Sequence, residues 1–316
     1  MNSKPGETRI PGNTGLNRII NLDKPVGIGS NAVLSRIKKV LGIKKAGFIG
    51  TLDPLASGIL PVFTGKMTKL IEYFSGTDKE YLATLEFGKN SPSLDYGSEV
   101  TETPFNPFSE DQARQVLDSF LGKIRQEAPI YSALKVNGKP MYEYARGNIP
   151  VQPKTREVSV LAIELLETEG KFMRIRVRCS TGTYIRSLAR DIGAALGNTA
   201  ILAGLRRVNV GDIFRIEEAV SPEMIENTGP ENSGLYYPIS KLIIDRFWFE
   251  VSPDMVEQII HGKPVEVGNL IAGDEAEKQK NQTVFALDAR GNPVATGFLE
   301  SSRDRPLYFA PSKVLA

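Results

Sequence analysis

The sequence reads as about two domains of mixed helix and strand, compatible with an α+β class, and three observations carry that reading. Helical and strand-like segments are interspersed without the regular βαβ alternation of a parallel sheet. Two long runs, 157–166 and 172–179, read as neighbouring strands. Beyond about residue 217 the character changes to short β-like runs separated by Gly, Asn and Pro. The length of 316 residues suits domains of roughly 150 residues each.

Residues 1–15 are polar, with Pro and several Gly, and read as a disordered lead-in without the apolar core of a signal peptide. Residues 30–41 form an amphipathic helix, with Ser30 as the expected cap and Val33, Leu34, Ile37, Val40 and Leu41 at helical spacing. Residues 43–65, rich in Gly and apolar side chains, read as an ordered loop near the core. Residues 66–74 read as helical and 81–87 as a strand. Residues 110–121 form a second amphipathic helix, opened by a Ser109/Gln112 capping box and stopped at Gly122. In 172–179 alternation places Arg174, Arg176 and Arg178 on one sheet face, either an RNA-facing stripe or a solvated surface. Residues 183–196 read as a helix buried along Leu188, Ile192, Ala195 and Leu196. The acidic, turn-rich stretch from 217 marks a plausible boundary, with a β-rich unit over 245–316.

Composition narrows the chemistry. One Cys and one His leave no Cys- or His-rich zinc site and no intrachain disulfide. An enzyme built from this chain works with carboxylates, Tyr, Lys or Arg. No apolar run approaches the ~20 residues that span a bilayer, so a cytoplasmic protein is expected. The formal net charge of +2 hides an asymmetry. Residues 16–79 hold ten Lys/Arg against four Asp/Glu, whereas 217–280 hold five against thirteen. The basic portion suits a polyanionic partner; a solvated face is the simpler alternative.

Gly27-Ile28-Gly29-Ser30-Asn31-Ala32 matches a loose dinucleotide-binding pattern. Asp23-Lys24-Pro25 stands where that fingerprint needs a strand running straight into the first Gly, so the match is a decoy. The richest segment is 47–58, in which Asp53 is the sole charge between Ala46 and Gly65. A carboxylate in apolar surroundings needs a cation or donors, or else it caps an Asp-Pro turn. Tyr81 opens a strand and could be a core aromatic or a site residue. Arg186 follows Gly182-Thr183-Tyr184 at a strand-to-helix junction; it could cap a surface turn or be the cation Asp53 requires. The adjacent Arg206 and Arg207 read as a phosphate contact or a solvated pair.

Taken in order, these segments resemble the bacterial tRNA pseudouridine synthases of the TruB type, which act on uridine 55 of the T-loop. The resemblance rests on NLDKPVG at 21–27, GTLDPLASGILPV at 50–62, DKEY at 78–81, PIYSALK at 129–135, MYEYARG at 141–147, CSTGTYIRSLARDIG at 179–193 and LRR at 205–207. Two departures stand out. Gly47-Phe48-Ile49-Gly50 replaces the family's GHTG, putting Phe48 at the position of a histidine that handles RNA. Ser91-Pro92-Ser93, followed by Leu94-Asp95, replaces a Thr-Asp-Thr element.

The resemblance implies a mixed, mainly antiparallel sheet with a central cleft and flanking helices over 16–240. It further implies a small β-rich, PUA-like RNA-binding domain over 245–316. Asp53, Tyr81 and Arg186 are then the catalytic group, Asp53 acting as nucleophile or as base. Phe48, Tyr184, Leu205, Lys24, Gly50 and Thr51 are the expected substrate contacts. The expected partner is the T-arm of tRNA, bound by a monomer that uses no cofactor or metal. Two rivals are a non-catalytic tRNA-binding protein or chaperone on the same scaffold, and a glycosidase. Asp53, Tyr81 and Arg186 together separate the enzyme from the first. The second normally needs two carboxylates flanking the bond, and the 47–58 segment offers one.

Overall fold

The computed structural model describes residues 17–132, 134–136, 138–147, 149–243, 246–268, 270–271, 278–279, 281–302 and 305–316. The lead-in expected over 1–15 lies outside the described residues. The larger sheet has nine strands: β1 (Ile19–Lys24), β2 (Ala46–Phe48), β3 (Ala56–Thr64), β4 (Lys79–Phe87), β5 (Gly122–Glu127), β6 (Thr155–Glu169), β7 (Phe172–Cys179), β8 (Ala200–Val210) and β9 (Phe214–Arg215). Its spatial order is β1-β3-β8-β4-β7-β6-β5, with β2 on β3 and β9 on β8. Pairing is antiparallel except between β3 and β8. The fold is the mixed, mainly antiparallel sheet that the sequence implied.

Three helices flank this sheet: α1 (Ser30–Val40), α2 (Glu110–Ser119) and α3 (Ile185–Ala195). The capping box at Ser109 and Gln112 is formed. The expected cap at Ser30 is not: Gly29 caps α1 and Ser30 is the first helical residue. Its hydroxyl donates to the Leu52 carbonyl and accepts from the Leu52 amide, both at 2.8 Å, tying α1 to the loop that carries Asp53. α3 buries Leu188, Ala189, Ile192 and Gly193, whereas Ala195 faces solvent.

The segment read as a loop over 43–65 contains β2 and β3. β3 is buried at all nine positions, so it shows no polar alternation for sequence reading to find. The arginine stripe on β7 resolves as a solvated face: Arg174 pairs with Glu167, Arg176 with Glu80, and Arg178 with Asp78 and Asp212. The acidic stretch after 217 contains α4 (Pro222–Thr228), which packs on α1 and β1. Glu223 and Glu226 on α4 pair with Arg36 of α1.

The C-terminal sheet has five strands: β10 (Trp248–Glu250), β11 (Val265–Glu266), β12 (Val284–Leu287), β13 (Pro293–Ser302) and β14 (Arg305–Val314). A helix α5 (Pro253–Ile260), which the sequence reading did not anticipate, packs against it. This curled sheet is PUA-like. Among the described residues no helix is long and apolar enough to cross a membrane.

Candidate active site

The link between β2 and β3 turns sharply at Gly50, whose φ of +66° is a left-handed conformation. The turn lifts Thr51–Leu55 into the mouth of a cleft of about 720 Å³. Buried groups hold the loop from below through its own carbonyls. Arg207 donates to the carbonyls of Gly50 at 2.8 Å and Ile59 at 2.7 Å. The Gly27 amide donates to the Pro54 carbonyl at 2.8 Å, so the decoy glycine supports this loop instead of a nucleotide. Lys24 donates to the carbonyls of Ile28 at 2.7 Å and Pro25 at 2.8 Å, with Pro54 at 3.5 Å.

Lys24 therefore departs from expectation. It is fully buried and spends its ammonium on backbone oxygens, so it does not reach the cleft. Burial lowers its pKa to about 8, with nearby Asp53 acting in the opposite sense. Arg207 is likewise fully buried, and burial lowers its pKa. The two arginines of the 205–207 motif part company because strand neighbours face opposite sides. Arg206 pairs with Asp23 at 2.7 Å, while Arg207 forms the floor of the cleft.

Asp53, Tyr81, Tyr184, Arg186, Leu205, Gly50 and Thr51 all line the cleft. The Arg186 guanidinium, only 6% exposed, places Nε 2.9 Å from Asp53 Oδ2. Of the two readings for Arg186, the buried cation is correct. Its remaining donors reach the Ser93 carbonyl at 2.9 Å and the Tyr131 carbonyl at 3.1 Å. Desolvation by the cleft walls raises the Asp53 pKa; Arg186 opposes the shift and Asp95 reinforces it. Tyr81 projects from β4 beside Lys79, in register with Arg207 on β8. Burial raises the Tyr81 phenol, with Arg207 pulling the other way, and lowers Lys79 to about 8. Burial pushes the Cys179 thiol up to about 11, which makes it a poor nucleophile.

Phe48 does not line the cleft. It sits opposite Val62 in the β2–β3 pair, and cross-strand partners share a face. That face belongs to the core beneath α1, where Phe48 is half-buried.

Sequence reasoning missed Asp95. Its Oδ2 lies 3.6 Å from Arg186 Nε, and Oδ1 accepts from the Gly97 amide at 2.8 Å. The hydroxyls of Ser91 and Ser93 donate to its carbonyl, closing a turn in which Leu94 takes a φ of +62°. The signal was available: Asp95 is the sole charge between Lys89 and Glu99, as Asp53 is in its own segment. Both carboxylates face one guanidinium, an arrangement unlike the separate acid and base that flank a bond in a glycosidase. Among the described residues no group of three or more His, Cys, Asp or Glu could hold a metal ion. A separate cavity of about 630 Å³, lined by Arg18, Tyr236 and Ala316, holds no carboxylate–guanidinium pair among the described residues.

A carboxylate clamped by a buried guanidinium, in a cleft that a tyrosine and apolar side chains also line, suits a planar base with its sugar. The architecture agrees. The chain is similar to a solved H/ACA RNP bound to a substrate RNA containing 2′-deoxyuridine, with a TM-score of 0.68 and 27% identity, covering 95% of this chain and 85% of that one. A Cbf5-Nop10-Gar1 complex gives 0.68 at 29% identity, with the same coverage of each chain. These define the pseudouridine-synthase class of fold.

Relatives narrow the class. Residues 38–185 match the model of the TruB family pseudouridylate synthase, N-terminal domain. The tRNA pseudouridine synthase B of Dechloromonas aromatica is 40% identical over 81% of this chain and 85% of its own. That of Aromatoleum aromaticum is 42% identical over 71% and 73%. The chain belongs to the TruB family of pseudouridylate synthases.

Proposed function

We propose that this protein is a tRNA pseudouridine synthase that isomerises uridine 55 of the T-loop. The observation that carries the reading is the 2.9 Å Asp53–Arg186 pair in a cleft that Tyr81 also lines. The isomerisation breaks the bond from C1′ to N1 and forms one from C1′ to C5. A proton leaves C5 and N1 ends protonated, so the atoms balance without a redox partner or group donor. Asp53 starts glycosidic cleavage as nucleophile or as base, and either role needs its ionised form. Arg186 keeps it ionised and aimed. Tyr81 stacks on the uracil and serves the proton transfer at C5. Tyr184 and Leu205 wall the pocket, and Gly50 and Thr51 bring the loop backbone to the nucleotide.

The base must leave its stack to enter, at a cost of a few kcal/mol that pocket contacts offset. Phe48, half-buried beneath α1 and outside the pocket, would help hold the opened loop by stacking through the part of its ring left exposed. Residues 16–240 form the catalytic unit and 245–316 the RNA-binding unit of a monomer that acts in the cytoplasm.

The test is incubation with unmodified tRNA, followed by mapping of pseudouridine in the T-loop. Product at that position is expected from the wild type. Asp53→Asn should bind RNA and give none; product from Asp53→Asn would exclude the mechanism.

A further inference from the structure

Among the described residues four cations line the cleft: Lys79, Arg156, Arg186 and Arg207. Three are committed to the protein. Arg186 serves two carboxylates and two carbonyls, Arg207 serves loop carbonyls, and Lys79 donates to the Thr77 carbonyl. Arg156 differs. Among the described residues it has no ion-pair partner, and its Nε is buried without a hydrogen bond.

Its position is nevertheless fixed. The guanidinium carbon lies 4.4 Å from the centroid of the Tyr184 ring. Gly182 makes room for it, since a Cβ there would come within 3.1 Å of Nη1. Arg156 on β6 is in register with Gln126 on β5. Gln126, fully buried, accepts from the Tyr184 amide at 2.8 Å and donates to the Tyr184 carbonyl at 3.1 Å. One cross-strand pair thus holds Tyr184 twice, Gln126 by its backbone and Arg156 by its ring. A guanidinium laid on an aromatic ring keeps its in-plane N–H groups for an anion, with a geometry that matches a phosphate.

We propose that Arg156 binds a phosphodiester oxygen next to the flipped nucleotide and, through the same stack, positions Tyr184 against the target base. The proposal rests on the pseudouridine-synthase reading above.

The test compares wild type, Arg156→Gln and Arg156→Lys on a T-arm hairpin, measuring Kd between about 0.05 and 0.3 M salt and single-turnover rate at saturating RNA. Arg156→Gln should bind about tenfold more weakly at the low-salt end, and its log–log salt slope should fall by about 0.7–0.9. Arg156→Lys keeps the charge and should keep the slope, but turn over more slowly because the planar stack is lost. Hairpins carrying one neutral methylphosphonate linkage beside the target then locate the contact. One such linkage should weaken wild type about tenfold and leave Arg156→Gln unaffected. Slower turnover with an unchanged slope, or no linkage that discriminates between the proteins, would overturn the phosphate assignment. If wild type binds in an Arg156-dependent manner yet forms no pseudouridine, the enzymatic reading fails and the phosphate site stands.

Discussion

Among the described residues Arg186 is the one cation in contact with Asp53, and Arg186→Met removes it. At 2.9 Å and an effective dielectric of about 20, the Coulomb attraction is about 6 kcal/mol. The Asp53 side chain is 42% open to the cleft, and water there screens the pair to about half, or 3 kcal/mol. Without that attraction the Asp53 pKa rises further in the direction burial already pushes it. Only ionised Asp53 begins the reaction, so the acid limb of the pH–rate profile should move alkaline. The assay is tritium release from tRNA labelled at uridine C5, run as single turnovers from about pH 5 to 9. Arg186→Lys should recover part of the shift. A rate lowered by one factor at every pH, with the acid limb unmoved, would refute the claim that Arg186 sustains the Asp53 charge.

Asp95→Asn should do the reverse, because the Asp95 charge raises the Asp53 pKa; the acid limb should move to lower pH in the same assay. Gly58→Ala would place a Cβ 2.2 Å from the Arg207 carbonyl at a φ of +100°, and should cost at least about 3 kcal/mol in a denaturant titration. Lys24 has a folded pKa near 8 against 10.5 unfolded, so between those values the unfolded chain binds more protons. Wild type should therefore gain stability on Lys24→Met as pH rises from 8 toward 10, by about 1.4 kcal/mol per unit at most. Equal urea midpoints for the two proteins across that range would contradict it. Phe48→Ala should weaken tRNA binding while leaving the rate of the bound complex near wild type, as read from Kd and single turnovers; unchanged affinity would exclude stacking of Phe48 on RNA.

Asp53 was legible because a lone charge in an apolar segment demands a partner, and Arg186 was one of two readings that supplied it. Choosing between them took the fold, since the two lie on elements far apart in the chain. Lys24 misled for the same reason: nothing local in Asp23-Lys24-Pro25 reveals that carbonyls at 25, 28 and 54 converge on its ammonium. β3 was hidden because a strand buried on both faces lacks the period of two that betrays a half-buried one, and its Gly58 and Pro61 read as loop residues. β6 and β7 showed their alternation because one of their faces meets water. Asp95 belonged to a segment noted mainly for departing from a family pattern, which drew attention away from its isolated charge.

The parallel seam between β3 and β8 bears on how the protein is made. Arg207 Nε reaches the Ile59 carbonyl across 148 positions of sequence, so part of the support of β3 and the Asp53 loop comes from far downstream. A chain emerging from the ribosome N-terminus first therefore exposes the Asp53 loop long before β8 exists to brace it. Until residue 207 has cleared the exit tunnel there is no cleft, and a prematurely truncated product should be inert toward RNA uridine. Closing the seam is a long-range pairing with a correspondingly large loop-closure entropy, and Leu205 and Arg207 join the cleft lining only when it is made.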